Sequence, residues 1–287
     1  MRCALACAVA AAALSVEPRA TVAERVMKLT RESAWRPTGS VRVQFRAWHP
    51  QGLVKIGDTF FLSSVEVRSR ERGEGIGHLF KFDRAGALVT DLTLGEGAIY
   101  HPGGIDYDGT HIWVPVAEYR PDSRSIVYRV DPVSMKATEI LRFADHIGAI
   151  VRNTDDNTLH GVSWDSRRLY RWTPGGERTP PLRTINPSHY LDYQDCKYAG
   201  GRRMLCTGVT EIKQGSGAAP FRLGGIELVD LVDGRPVFQV PLLLWTTAGL
   251  AMTQNPAWFE ETRTGLRGYF MPEDDVSTLY IYEVETT

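Results

Sequence analysis

The sequence has few cysteines, no excess of charge of either sign and no apolar run long enough to cross a membrane. Four Cys in 287 residues are too few for a miniprotein held together by disulfides. Lys and Arg number 33 against 34 Asp and Glu, so the chain lacks the strong basic stripe with which proteins hold nucleic acid. We therefore expect no nucleic-acid partner and no membrane span.

The composition that remains is that of a folded, turn-rich chain. Hydrophobic residues make up 43% and charged residues 23%, which is enough apolar material to bury a core. The 27 Gly and 16 Pro indicate many turns. Length alone would allow two domains, but β-propellers of this size form one domain.

The N-terminus resembles a secretory signal peptide. A short positive start at Met1-Arg2 precedes apolar residues from Cys3 to Leu14, a run shorter than the roughly 20 residues of a bilayer span. The pattern predicts a signal peptide over residues 1–20, with an uncertain cleavage site, and a secreted or periplasmic protein. A buried Ala-rich helix is the alternative. We expect residues 21–39 to form a leader segment and residues 40–287 a single domain.

The two remaining cysteines flank a hairpin. A three-residue loop over residues 200–202 would place Cys196 directly opposite Cys206, and that register allows a cross-strand disulfide in an oxidising compartment. A two-residue turn would put the sulfurs on opposite faces. Two free buried thiols are the alternative to the disulfide.

A short pattern, in which a polar residue is followed by small or apolar residues that open a strand, occurs five times at intervals of 45 to 52 residues. Each unit then has a turn, a second strand ending on an acid, and an alternating third strand, and four units add a fourth strand. Four-stranded units at this period are typical of propeller blades. The pattern starts are His49, His101, His146, Gln194 and Thr246.

The sequence therefore predicts an all-β, five-bladed β-propeller. The fifth unit lacks its fourth strand, and the alternating segment Ser40–Ala47 would supply it and close the ring. A six-bladed ring, with a degenerate strand within Ile212–Arg222, is the alternative.

The starting residue of each unit should point towards the propeller axis. His49, His101 and His146 would then converge, with Gln194 and Thr246 completing the ring as ligand-binding residues. Imidazole is the commonest metal ligand and a good proton-transfer group near neutral pH. We expect these three His to be catalytic, or to bind a divalent metal such as Zn, Fe or Ca; polar lining of a wet channel is the alternative.

The acids that end the second strands should lie near the same mouth. We expect Glu66 and Glu118 to act as bases or to orient the imidazoles. The other acids of this set, together with a neighbouring aromatic ring, are expected to bind a ligand. Alternatively, each acid caps a turn or pairs with a nearby Arg. The expected ligand-binding set is Asp165, Glu211, Glu273 (or its neighbour Asp274) and Trp164.

The blade openings HPQGL, HPGGI and HIGAI resemble those of secreted β-propellers, a set that includes lactonases, gluconolactonases and strictosidine-synthase-like enzymes. The stretches HPGGIDYDGTHIWVPVAEY and DCKY…RRMLCTG look like an uncharacterised bacterial family of exported propellers. The resemblance covers nearly all of the chain after the signal and implies the fold. The lactonase-type enzymes are six-bladed and hold Ca²⁺ with Glu, Asn and Asp, whereas this chain has a His-rich axis and five units.

We expect an exported, monomeric enzyme that acts on a small molecule in the axial funnel, by metal-assisted hydrolysis or lyase chemistry. The sequence contains no nucleophile elbow, no P-loop and no HExxH motif that would specify another reaction. The alternative is a non-catalytic propeller that binds a protein or glycan partner through its loop face.

Overall fold

The computed structural model describes residues 20–175, 180–215, 217 and 219–286, and it is built almost entirely of antiparallel strands. The predicted signal peptide lies outside the described residues except for Ala20. None of the described helices is long and apolar enough to cross a membrane.

Five sheets form five blades, and this confirms the predicted five-bladed propeller. Blade 1 contains β2 (His49–Ile56), β3 (Thr59–Ser69), β4 (Glu74–Asp83) and β5 (Leu88–Leu94). Blade 2 contains β6 (Ile99–Pro102), β7 (Asp106–Tyr107), β8 (Ile112–Glu118), β9 (Ser125–Val130) and β10 (Ala137–Phe143). Blade 3 contains β11 (Ile147–Arg152), β12 (Leu159–Ser163), β13 (Arg168–Trp172) and β14 (Leu182–Ile185), with a 3₁₀ turn, η1, at Trp164–Ser166. Blade 4 contains β15 (Asp192–Tyr198), β16 (Arg203–Ile212), β17 (Phe221–Asp230) and β18 (Pro236–Leu242).

Blade 5 is closed by the N-terminal segment of the chain. It contains β19 (Ala257–Glu261), β20 (Gly265–Phe270) and β21 (Thr278–Glu285), and β1 (Arg36–Arg42) pairs with β21 as the outer strand. The closing strand thus begins before the predicted segment Ser40–Ala47 and overlaps it by three residues. The rest of that segment leaves the sheet and carries Phe45 onto the rings of blade 1. The six-bladed alternative is wrong.

The leader packs on blades 4 and 5, where its helix contacts the inner strands β19 and β20 of blade 5. Its helix α1 (Val22–Val26) starts with a capping box in which Thr21 and Glu24 bond to each other's backbone. The helix buries Val26 in the apolar cluster between blades 4 and 5, so the leader is fixed to the propeller by its apolar face.

The strands differ in burial by their distance from the axis. Every residue of β8, a second strand, is buried, because neighbouring blades cover both faces of its sheet. The outer strand β5 alternates and is largely exposed. Apolar clusters lie between adjacent blades and hold the ring together.

The hairpin β15–β16 has the predicted register. The Ala199 amide donates to the Arg203 carbonyl oxygen at 2.9 Å across the three-residue loop. Cys196 lies directly opposite Cys206 and is bonded to it, so the predicted disulfide is confirmed.

The small residues of the repeat allow the inner strands to approach one another at the axis. A Cβ added to Gly103 would lie 2.1 Å from the carbonyl oxygen of Gly148 in the next blade. A Cβ on Gly52 would lie 2.6 Å from the Ile105 amide nitrogen. Only glycine permits this approach, so Gly52 of HPQGL and Gly103 of HPGGI have a packing role.

Candidate functional site

A cavity of about 580 Å³ opens at the mouth where the inner strands begin, and we call it the axial funnel. His49, His101 and His146 line it from three consecutive blades. The rings of His101 and His146 are 5.7 Å apart between centroids. The fold therefore brings three imidazoles into one cavity.

The register of blade 4 places Asp192 in the ring of starting residues. The inner strand of blade 1 bulges at Gln51, two residues after His49. The inner strand of blade 4 bulges at Gln194, two residues after Asp192. Gln194 is thus the counterpart of Gln51 and not of His49, although it also lines the funnel.

In blade 5 the corresponding residue is Asn255. The inner strand begins at Ala257, directly after Asn255-Pro256, which parallels His49-Pro50. Thr246 lies in an earlier turn, where its amide donates to Leu250, outside the funnel lining. The ring in the structure is His49, His101, His146, Asp192 and Asn255.

His49 forms a dyad with a carboxylate. Its Nδ1 lies 2.8 Å from Oδ1 of Asp274, and Asn255 donates to the same oxygen at 3.0 Å. Desolvation alone would raise the pKa of Asp274, but the hydrogen bonds from His49 and Asn255 outweigh it and lower the pKa. Since the ionised carboxylate only accepts, Nδ1 carries the hydrogen, and in the neutral ring Nε2 is the basic nitrogen.

His101 is 5% exposed, and neither of its ring nitrogens has a hydrogen-bond partner among the described residues. Its ring stacks on Tyr119 at 4.0 Å, and the Arg70 guanidinium lies 4.2 Å from the centre of the Tyr119 ring. Burial, together with the charges of His146, His49 and Arg70, lowers the pKa of His101 well below its ordinary value. His101 is therefore a neutral imidazole at pH 7.

His146 is also neutral, and its tautomer is fixed. Its Nδ1 lies 2.9 Å from the carbonyl oxygen of Glu118, which can only accept, so Nδ1 is the donor and Nε2 is left basic. Burial lowers the pKa of His146 to about 4, although hydrogen bonds to the backbone oppose the shift. Its ring meets Trp164 edge-on at 4.8 Å.

Three of the predicted acids do not line the funnel. Glu118 is buried and bonds to two arginines at 2.6 Å each; burial alone would raise its pKa, but these bonds outweigh it and lower the pKa. Glu66 pairs with Arg68 at 2.9 Å. Glu273 accepts a backbone N–H at 2.8 Å and a tyrosine hydroxyl at 2.7 Å. These side chains pair with nearby arginines or accept bonds within their own turn, which is the alternative stated for them above.

The other acids form a wall of the funnel on blades 3 and 4. Asp165, Asp192 and Glu211 line the cavity together with Trp164. Desolvation raises the pKa of Asp192, and the charges of Asp165 and Glu211 add to the shift. Glu211 is paired with Arg222 at 2.8 Å.

Within the part of the chain that the structure describes, no group of three or more His, Cys, Asp or Glu is arranged to hold a metal ion. The residues that could ligate one are the three ring imidazoles. In this arrangement His49 and His146 each use Nδ1 for a protein partner, which leaves only one ring nitrogen apiece for any ligand.

Sequence reasoning missed four residues of the site. Asn255 could have been found from its Pro, since His49 and His101 are also followed by Pro. Asp192 could have been found by aligning Gln194 with Gln51. Tyr119 and Arg70 have no counterpart in the repeat, and only their position over His101 identifies them.

Known structures resemble this chain in fold. The tail fibre of Staphylococcus aureus phage P68 superposes with a TM-score of 0.54 at 8% identity, covering 92% of this chain and 55% of that one. This chain thus spans about half the length of that protein. A hypothetical protein from Leishmania major gives 0.51 at 11% identity, covering 87% of this chain and 90% of that one. An alpha-L-arabinanase of Cellvibrio cellulosa gives 0.50 at 12% identity, covering 83% and 91%.

At these identities the likeness concerns the propeller fold and not the chemistry. No curated protein matches the sequence. The pattern of a family of unknown function, DUF6454, matches residues 4–286, and the chain belongs to that family.

Proposed function

We propose that the chain is an exported enzyme that cleaves a bond in a small molecule bound in the axial funnel, either by hydrolysis or by elimination. The observation that carries this proposal is His101. Buried polar atoms in proteins are nearly always hydrogen-bonded, yet both ring nitrogens of this buried side chain lack a partner among the described residues. A ligand in the funnel would supply the missing partner.

The neighbouring groups suit acid–base chemistry. His49, held through Nδ1 by Asp274, would take a proton at Nε2 from water or from the substrate. The carboxylate would stabilise the imidazolium that forms. The neutral ring of His101 would donate a hydrogen bond from its one N–H to the carbonyl oxygen or to the leaving group. His146, with its basic Nε2, would orient the substrate from the next blade.

Neutral imidazoles also suit metal ligation, so a bound divalent ion remains part of the prediction. The acid–base scheme needs no metal. Metal analysis of protein purified without a metal-affinity tag or chelator separates the two versions. A stoichiometric ion that is lost in His101→Ala would replace the acid–base scheme with metal-assisted hydrolysis.

The His101→Ala variant tests the proposal. We expect it to fold and to lose about 100-fold or more of the turnover of a panel of small esters, lactones and glycosides, in line with the loss of an acid–base group. The measurement is kcat/KM on whichever substrate the wild type turns over. His160→Ala is the matched control, because His160 is equally buried but bonds to Thr158 away from the funnel. Equal turnover in the two variants would refute a catalytic role for His101.

A partner-binding propeller is the second candidate, favoured by an apolar rim beside the funnel. Ile212 and Phe221 are 47% and 40% exposed, and the Phe221 ring lies 5.7 Å from Trp245. A protein or glycan that binds at this rim, without turnover of any small molecule, would support the second candidate. Loss of that binding in Phe221→Ser, with His101→Ala unaffected, would establish the rim as the contact.

A further inference from the structure

The lining of the axial funnel carries an excess of negative charge. Four carboxylates face it against one guanidinium, that of Arg222. Arg222 is already paired with Glu211 at 2.8 Å, and Asp274 is bonded to His49. The excess therefore rests on two further carboxylates, those of Asp165 and Asp192.

These two carboxylates have no hydrogen-bond donor in the described part of the chain. The guanidinium of Arg167 donates to the carbonyl oxygens of Asp165 and Ser188 and not to a carboxylate. Its charge does act on Asp192, but the opposing charge of Asp165 has the larger effect. A carboxylate pair of this kind gains free energy from any cation that enters the funnel.

Aromatic rings complete the same wall. Trp164 directly precedes Asp165 on η1, and Tyr190 and Tyr193 flank Asp192 in the lining. Aromatic faces attract organic cations, most strongly when Trp is among them. The fold already uses this attraction beside the funnel, since Arg70 lies 4.2 Å from the centre of the Tyr119 ring and 5.4 Å from that of Trp164.

The unpartnered His101 points to a ligand independently of the acids. It is 5% exposed, lines the funnel and lacks a partner at both nitrogens among the described residues, so it requires a polar group on the ligand. Phosphates and carboxylic acids would be repelled by the wall, and a purely apolar molecule would leave His101 unsatisfied.

We propose that the axial funnel selects a small organic cation, whose ammonium group lies against Asp192, Asp165 and Trp164 and whose hydroxyl, ester or amide group bonds to His101. This inference rests on the proposed function, because it names the substrate class of the same site. The cavity of about 580 Å³ has the size of a small-molecule site.

A matched pair of charged and uncharged probes tests the substrate class. Choline is compared with 3,3-dimethylbutan-1-ol, which has the same shape but a carbon in place of the charged nitrogen, by titration calorimetry and ligand-observed NMR at low salt. We expect the cation to bind at least about tenfold more tightly than its uncharged counterpart, the effect of one charge–charge and cation–π contact. We expect added salt to weaken the cation alone.

Variants locate the binding. Asp192→Asn should weaken choline binding by about tenfold or more, because it removes the charge that the ammonium faces. Asp58→Asn is the control of equal charge change: Asp58 lies in the β2–β3 turn and its side chain is 79% exposed. It should change binding less than about twofold. Asp165→Asn serves in place of Asp192→Asn if thermal unfolding shows that the latter does not fold.

The outcomes separate the two proposals. Equal binding of charged and uncharged probes, no cation bound at millimolar concentration, or equal effects of Asp192→Asn and Asp58→Asn would each overturn the cation assignment. In those cases a His101-dependent turnover of neutral substrates would leave the proposed function standing. Selective cation binding without any turnover would support the cation assignment and contradict the enzymatic function, and the chain would then be a binding protein for organic cations.

Discussion

The three histidines of the funnel differ in chemistry because their neighbours differ. His49 is bonded to the carboxylate of Asp274, His146 to a backbone carbonyl, and His101 to no described residue. A carboxylate stabilises the protonated ring, whereas burial opposes it. The repeat thus supplies one residue type at three positions, and the surrounding groups give each ring a different hydrogen-bonding state; the proposed function assigns them the roles of base, orienting group and donor.

A glycine beside the ring is subject to an equally strict local constraint. Gly103→Ala would place a Cβ 2.1 Å from the backbone of Gly148, which cannot move without breaking the bond from Gly104 N to the Gly148 carbonyl oxygen, 2.8 Å long. We expect a loss of about 1–3 kcal/mol in the free energy of unfolding, as for other overpacked sites. Urea unfolding followed by tryptophan fluorescence measures it.

Gly39→Ala is the control for that substitution. A Cβ there would meet only Ile281, at an ordinary 3.7 Å, so the variant should unfold at the wild-type urea concentration. Equal stability of the two variants would mean that the inner strands are not held at this spacing.

At single positions, the sequence predicted the site only as far as the repeat was regular. His49, His101 and His146 each open a unit of the repeat, and they line one cavity. The prediction was wrong for Thr246 because blade 5 inserts residues before its inner strand, so the count from the previous unit no longer holds. Asp192 was missed because Gln194, two residues later, is also polar and was aligned with His49, whereas the equivalent bulges of blades 1 and 4 align it with Gln51.

At the scale of strands and hairpins, prediction succeeded where turn and alternation agreed. The loop over residues 200–202 specifies a register, and that register aligns Cys196 with Cys206. The closing strand was placed too late because alternation continues beyond Arg42 into residues that pack on blade 1. Alternation reports which side chains are buried; it does not report which sheet buries them.

The disulfide of this hairpin should contribute to stability by restricting the unfolded chain. Its cysteines are 10 residues apart in sequence, and a loop of this size corresponds to about 2–3 kcal/mol. We expect the free energy of unfolding of the Cys196→Ala/Cys206→Ala double variant to be lower by that amount, so the variant should unfold at a lower denaturant concentration. Wild-type protein unfolded in a thiol reductant is the companion measurement, since it keeps both sulfur atoms and breaks only the cross-link.

Reductant should have no effect on the double variant. A reductant effect of equal size in both proteins would show that the cross-link does not stabilise the fold.

In the molecule as a whole, four of the five blades meet in a buried ionic cluster at the axis. Asp195 of blade 4 accepts the Leu53 amide at 2.9 Å and the Ile105 amide at 3.2 Å, so one carboxylate joins three blades. Lys197 bonds to the same carboxylate, and the nearby Asp106 accepts backbone amides of blades 3 and 4. Breaking such a cluster is costly, because the charge that remains is buried without its partner.

Buried histidines and a buried carboxyl group change the stability of the fold in opposite directions as pH rises. Burial lowers the pKa of both His146 and His160 to about 4, so these rings contribute stability as pH rises towards the ordinary value of 6.5. Burial raises the pKa of Asp106 from 3.8 to about 7, although the Arg152 amide and the Lys197 charge oppose it. That side chain therefore contributes stability below about pH 4, and loses it as pH rises through 7. The two effects oppose each other in the pH dependence of the wild-type free energy of unfolding, but the difference between the wild type and a variant that lacks one group isolates that group.

Asp106→Asn isolates the carboxylate, because the amide cannot titrate. The amide also alters the hydrogen bonds at this position, but that effect is the same at every pH and cancels in the slope. Between about pH 5 and about pH 8, the free energy of unfolding of the variant should rise relative to that of the wild type by up to about 2–3 kcal/mol. Urea unfolding at each pH measures the difference, and Asp58→Asn, an exposed carboxylate, should show none. A difference that stays constant over this range would mean that Asp106 is ionised throughout, and that the axial cluster holds two full negative charges beside Lys197.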